Sequence, residues 1–199
     1  LWEKKEKLGG QLLLAAVAPY KEVIGRLNKY MTGQLKKSGV KVLLGREVTA
    51  KSVKAMGPQV VILATGSTPF IPNIPNLRGN NVILALDVLA GCKGVGNRVV
   101  VIGGELVGCE TADYLAQQGK IVTIVRRGPN IAINMNPRAR DNLLARLIKN
   151  GVTMRTGVRY EEITDKGLVI TDKEGQRQNI AADTIVLAAG AIKNNKLAI

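Results

Sequence analysis

The stretch from Arg98 to Val125 constrains the fold more than any other part of this 199-residue chain. Arg98-Val99-Val100-Val101-Ile102 is a short β-branched run that leads directly into Gly103-Gly104-Glu105-Leu106-Val107-Gly108. Leu106, Val107, Cys109, Ala112, Leu115 and Ala116 then recur at spacings of three and four, the apolar face of a helix. After Gln118-Gly119-Lys120 comes Ile121-Val122-Thr123-Ile124-Val125, a second strand of the buried type. Strand, glycine-rich turn, helix and strand make a βαβ unit, whose strands run parallel and whose crossover is right-handed. The pattern predicts an α/β fold built on a Rossmann-like parallel βαβ sheet.

The flanking sequence extends this unit. A helix is expected from Pro137 to Asn150, with proline in its first turn, Leu143, Leu144, Leu147 and Ile148 as its apolar stripe, and Gly151 beyond its end. Val152-Thr153-Met154-Arg155 reads as a third strand. Short alternating runs at Val158–Ile163, Leu168–Thr171 and Gln178–Ile180, separated by Asp165-Lys166-Gly167 and Lys173-Glu174-Gly175, predict a small antiparallel meander. A buried strand over Asp183–Gly190 closes the set. The first third offers a helix over Tyr20–Lys37 and strands at Val40–Leu44 and Val60–Gly66. Pro69, Pro72 and Pro75 form a stiff linker, which places a boundary near 68–80. The piece before it is too small to complete a sheet alone.

Composition removes several chemistries. The chain has no histidine, which excludes imidazole catalysis and His-ligated metals. Its two cysteines, Cys92 and Cys109, form no CxxC pair. Lys4, Lys5 and Lys7 before Leu12–Ala18 imitate a signal peptide, but Glu3, Glu6 and Gly9-Gly10-Gln11 interrupt the pattern. No apolar stretch approaches the roughly 20 residues of a membrane span. The net charge of +14 invites a polyanion, yet aromatic residues are only 3% of the chain, too few for a base-stacking surface. A basic nucleic-acid-binding domain is therefore the weaker rival reading.

The glycine turn carries the chemistry. Such a turn lets backbone approach a pyrophosphate, while the N–H groups and dipole of the following helix receive its charge. With Gly103 first and Gly108 last, the pattern G-x-G-x-x-G demands glycine at 105, where this chain has Glu105. A side chain there fills space the pyrophosphate would use, and two readings stay open: dinucleotide binding is kept, because Gly104 permits a shifted turn or Glu105 swings outward, or the turn is degenerate and keeps only the fold. At the end of the next strand, where NAD-binding units carry an acid for the ribose 2′-hydroxyl, the chain has Val125-Arg126-Arg127. Two guanidiniums there match a 2′-phosphate, which favours NADPH over NADH; the plainer alternative is two solvated arginines.

Taken with Leu1-Trp2-Glu3, Leu8-Gly9-Gly10-Gln11-Leu12, Ile62-Leu63-Ala64-Thr65-Gly66-Ser67-Thr68-Pro69, Gly108-Cys109-Glu110-Thr111-Ala112 and Leu187-Ala188-Ala189-Gly190, these motifs resemble the pyridine nucleotide-disulfide reductase superfamily. Within it the chain is similar to the C-terminal part of the group of 2,4-dienoyl-CoA reductase, enoate reductase and trimethylamine dehydrogenase, the NADH:flavin oxidoreductases. The ordered combination covers essentially the whole chain and is far more specific than any one glycine motif.

The resemblance implies an NAD(P)-binding domain inserted into an incomplete, second Rossmann-like domain for FAD. Residues 1–68 would be the partial FAD domain, 69–80 the linker, 81–183 the NAD(P)-binding domain, and 184–199 the return segment. By resemblance, Glu3 holds the FAD ribose, Gly10 and Gln11 lie along the flavin, Val48 lies near the adenine, and Thr65, Gly66 and Gly190 mark the two crossings at the cofactor edge. Gly103, Gly104, Glu105, Leu106, Val107 and Gly108 would line the pyridine nucleotide, with Arg126 and Arg127 at its 2′-phosphate. Glu110 would face the nicotinamide side, or else be a helix surface charge.

The expected activity is hydride transfer from NAD(P)H to a flavin in an enzyme that reduces an enoyl- or dienoyl-type small molecule. FAD belongs to the full-length protein, and FMN and a 4Fe-4S cluster to a further, barrel domain. The chain thus reads as a catalytically silent piece whose partners are its own FAD and barrel domains, with homo-oligomerisation an option. Neither nucleic acid nor membrane is an expected partner, and the expected location is cytoplasmic.

Overall fold

The computed structural model describes residues 1–198, in two compact units: Leu1–Thr68 with the tail from Ile192, and Pro69–Ala191. The first unit contains α1 (Gln11–Ala15), α2 (Glu22–Lys37) and α3 (Ala50–Met56). The chain leaves it along β1 (Ser67–Pro69). The second unit comprises β2 (Val82–Leu84), α4 (Ala85–Leu89), β3 (Arg98–Ile102), α5 (Leu106–Gln117), β4 (Ile121–Arg126), α6 (Pro137–Lys149), β5 (Thr153–Thr156), β6 (Arg159–Thr164), β7 (Gly167–Thr171), β8 (Arg177–Ala181) and β9 (Thr184–Leu187). The return crossing, β10 (Ala191–Lys193), pairs with β1.

In the second unit five strands form a parallel sheet in the order β2-β9-β3-β4-β5. Its middle strands are buried on both faces, which is why they read as continuous apolar runs. Alternation sorts the side chains into two layers. Val99 and Val101 of β3, with Val122 and Ile124 of β4, pack with Cys109, Ala112 and Leu115 of α5 and Leu143 and Leu147 of α6. Val100, Ile102 and Val125 point the opposite way, onto Ile163, Leu168 and Ile170 of the meander. That meander is the antiparallel sheet β6-β7-β8. Helices on one face and a meander on the other enclose the sheet, as an α/β fold requires.

Polar groups pin the helical layer. Asn136 caps α6 by accepting the Arg138 N–H at 3.1 Å, just before Pro137. The Asp113 carboxylate on α5 is 1% exposed and accepts from Arg146 Nε and Asn150 Nδ2 of the α6 region, each at 3.0 Å. A buried charge so surrounded is hydrogen-bonded rather than stranded.

Three expectations need correction. Thr184–Leu187 is not part of a return segment: it lies between β2 and β3, because a run buried on both faces belongs inside a sheet. The 69–80 stretch, expected as a stiff linker, is instead part of the second unit, since Ile74 is buried in its core and Pro75 accepts the Ile163 N–H at 3.0 Å. The two strands expected in the first unit do not form among the described residues, where, as expected, that piece completes no sheet alone. Val40–Leu44 contributes only a parallel bridge between Trp2 and Leu43, and Val60–Gly66 is not a strand. Val60 and Ile62 are 76% and 87% exposed. A β-branched run becomes a strand by pairing and burial, and this segment has neither here.

Candidate functional site

The site candidate in the second unit lies where β3 ends. Gly103 has φ +124°, open only to glycine, and a Cβ on it would strike the Ala188 carbonyl oxygen beyond β9. A Cβ on Gly108 would strike the Gly103 carbonyl oxygen. The first and last glycines therefore bring turn, helix and neighbouring strand into backbone contact. The Gly103 N–H donates to Val125 O at 3.0 Å, which ties the turn to the end of β4. Gly104 is covered by Ile131 and by the stem of Arg126, and its carbonyl accepts the Ala132 N–H at 2.6 Å.

Glu105 stands at the head of α5 in an extended conformation, φ −94° and ψ −173°, which any residue adopts. Its side chain does not cap the helix, so the first-turn N–H groups of α5 receive no hydrogen bond from it. Instead, Glu105 Oε1 lies 2.5 Å from Arg126 Nη1. The contact is one of charge without hydrogen-bond alignment, and both Glu105 Oε1 and Arg126 Nε are buried without an aligned partner. The Glu105 side chain is 37% exposed and that of Arg126 is 19% exposed.

Arg127 does not join this pair. It is exposed, with its guanidinium carbon 5.7 Å from the centroid of the Tyr160 ring, a cation–π contact. Tyr160, on β6, donates its hydroxyl to Val125 O at 3.1 Å. Burial pushes this hydroxyl above its ordinary pKa against the opposing charge of Arg127. The two arginines expected to face one phosphate thus occupy separate surroundings. Tyr160 was visible in sequence only as one residue of an alternating strand.

The other candidates fall as follows. Leu106 and Val107 are exposed apolar groups at the mouth of the turn, and Glu110 is half-buried on α5. Gly190 has φ +113°, and its carbonyl accepts the Phe70 N–H at 2.9 Å. In the first unit, Gln11 Nε2 donates to Ser67 Oγ at 2.9 Å, and Thr65 Oγ1 donates to Asn194 O at 2.6 Å. Gly10 and Gly66 both have left-handed φ, with open space around them. Glu3 is turned onto its own loop, where its carboxylate accepts the Lys5 N–H at 2.8 Å, and Val48 is half-buried before α3. The structure joins Gln11 to the Thr65–Ser67 segment through Ser67.

Cys109 is buried against the sheet, and burial pushes its thiol up to about 12, so it is not a nucleophile. Among the described residues no group of three or more His, Cys, Asp or Glu is placed to hold a metal ion. Nor is any helix there long and apolar enough to cross a membrane.

Residues 3–198 match the family model described as pyridine nucleotide-disulphide oxidoreductase. The chain is 43% identical over 194 residues to an NADH oxidase of Thermoanaerobacter brockii, covering 96% of this chain and 30% of the relative. It is 37% identical over 200 residues to a cinnamate reductase of Clostridium sporogenes, covering 99% and 30%. Among solved structures, a 2-naphthoyl-CoA reductase in complex with 2-naphthoyl-CoA superposes with a TM-score of 0.95 at 33% identity, over 99% of this chain and 30% of that one. The chain therefore spans about 30% of the length of these relatives.

Proposed function

The chain belongs to the pyridine nucleotide-disulphide oxidoreductase family, and from that premise we propose that it is the NAD(P)H-binding portion of a flavin-dependent oxidoreductase. The observation that carries this reading is the uncapped start of α5 behind the packed glycines 103 and 108. These residues fit a dinucleotide: the turn keeps its backbone contact at the first and last glycine, and the one side chain that replaces a glycine of the pattern, Glu105, is drawn off toward Arg126.

When bound, the nicotinamide cofactor supplies a hydride and the flavin accepts it. This chain's residues hold and orient. The N–H groups of Leu106, Val107 and Gly108, with the positive end of α5, receive the pyrophosphate. Leu106 and Val107 shield it with apolar surface, and Glu110 faces the nicotinamide side. In the first unit, Gly10, Gln11, Thr65 and Gly66 line FAD, with Glu3 and Val48 toward its adenosine half. FMN and a 4Fe-4S cluster would lie in the wider protein, outside this chain. The names of the cinnamate and naphthoyl-CoA reductases support an unsaturated acid or thioester as the wider protein's substrate.

Isothermal titration with NADPH, NADH and ADP tests the reading. Binding of at least one dinucleotide below millimolar concentration is expected. Failure of all three at millimolar concentration would refute it, and ADP binding alone would reduce the turn to a structural nucleotide scaffold.

A further inference from the structure

We propose that Glu105 reads the ribose diol of the bound dinucleotide and so makes this chain prefer NADH to NADPH; the inference rests on the dinucleotide-binding reading above. In NAD-binding βαβ units the ribose 2′-hydroxyl is met by an acid at the end of the second strand. Here that strand, β4, ends in Val125-Arg126-Arg127 and carries no acid. The fold brings one to the same strand end from the glycine turn: Glu105, whose Oε1 is 2.5 Å from Arg126 Nη1.

Three observations favour this role. Glu105 does not cap α5, so its carboxylate is committed to the strand end rather than to the helix N–H groups. Oε1 is buried while the side chain as a whole is 37% exposed, so one edge is anchored and the rest is open to a ligand. The Arg126 stem is held between Gly104 and Gly128, where an added Cβ would stand 3.0 Å from Arg126 Cδ and Nε respectively. Arg126 is thus a fixed anchor for Glu105, and its charge is already balanced.

The same arrangement disfavours a 2′-phosphate. That group carries a charge of about −1.5 to −2 and would face the Glu105 carboxylate. The fork of two guanidiniums that would offset this repulsion is not assembled, because Arg127 sits apart over Tyr160. A ribose diol, in contrast, donates to the carboxylate.

Titration of the chain with NADH and NADPH tests the inference, with melting temperature as the check on folding. NADH is expected to bind at least tenfold tighter than NADPH. Glu105→Gln keeps the shape, removes the charge, and is expected to lower that ratio at least tenfold, chiefly by weakening NADH. A wild-type preference for NADPH overturns the proposal, as does a folded Glu105→Gln variant with an unchanged ratio. Should Glu105→Gln not fold, Glu105→Ser gives the same comparison, and the wild-type ratio decides without any variant. If neither dinucleotide binds, the dinucleotide-binding reading itself fails, which is a different outcome from binding with the wrong preference.

Discussion

Two glycines in helices, substituted identically, should move stability in opposite directions. Gly33 lies in α2 with nothing within 4 Å of an added Cβ, whereas Gly108 lies in the first turn of α5 against the Gly103 carbonyl oxygen. Alanine is better than glycine inside a helix by about 1 kcal/mol. Gly33→Ala should realise most of that gain. At Gly108 the obstructing atom is backbone, so α5 must move off β3 or the turn must open. Forced overpacking of this kind costs about 1–3 kcal/mol. The helix gain is common to both, so the two variants should differ by about the overpacking cost, 1–3 kcal/mol, in urea denaturation. Titration with dinucleotide adds the functional half: Gly108→Ala should weaken binding at least tenfold, and Gly33→Ala should leave it unchanged. A Gly108→Ala protein as stable as Gly33→Ala, with wild-type affinity, would show that the backbone contact between α5 and the turn is not what shapes the site.

Two further outcomes follow from charge and burial. Asp183 accepts from the Arg98 side chain at 2.7 and 3.1 Å and from the backbone N–H groups of Arg98 and Asn97, which together hold its carboxyl below the usual carboxylate value. With the folded pKa depressed, its contribution is complete above the unfolded value of roughly 3.9 and disappears as pH falls through the folded value. The gap in melting temperature between wild type and Asp183→Asn should thus hold above about pH 5 and narrow as pH falls below roughly 3.9, and a constant gap would contradict this. For the thiols, Cys92 is exposed while Cys109 is buried with its pKa pushed up to about 12. A disulfide reagent near pH 8 should modify one thiol in the native chain and the second only in urea; rapid modification of both would show that the α5 core opens readily.

The second unit was legible from β3 onward because each of those elements carries its own signal, whereas β2 and α4, over Val82–Leu89, were not read from the sequence. Val99–Ile102, Ile124–Val125 and Ile185–Leu187 are apolar on both faces because both faces are covered, by helices on one side and the meander on the other. The amphipathic stripes of α5 and α6 and the turn residues of the meander are equally local. Val60–Gly66 looks the same in sequence but pairs with no strand among the described residues, and no property of one segment reveals whether a partner lies beside it. The exchange of Thr184–Leu187 from return segment to sheet interior has the same origin: strand order is set by pairing rather than by position along the chain.

The pairing of Glu105 with Arg126 was illegible for a further reason, since it joins a turn to the far end of a βαβ unit. Half of it, however, was available from strand alternation. Successive residues of β4 face opposite sides, with Val122 and Ile124 toward the helices and Val125 toward the meander. Continuing that alternation sends Arg126 to the helix side, where the glycine turn and Glu105 lie, and Arg127 to the meander side, where Tyr160 lies. Two adjacent arginines at a strand end therefore do not make a pair for one phosphate unless the strand breaks its alternation there. By the same logic, an acid absent from the end of the strand can be supplied from the helix side by the turn that faces it. The cofactor preference of a unit like this one is a property of the space around the strand end rather than of the residues that happen to end the strand.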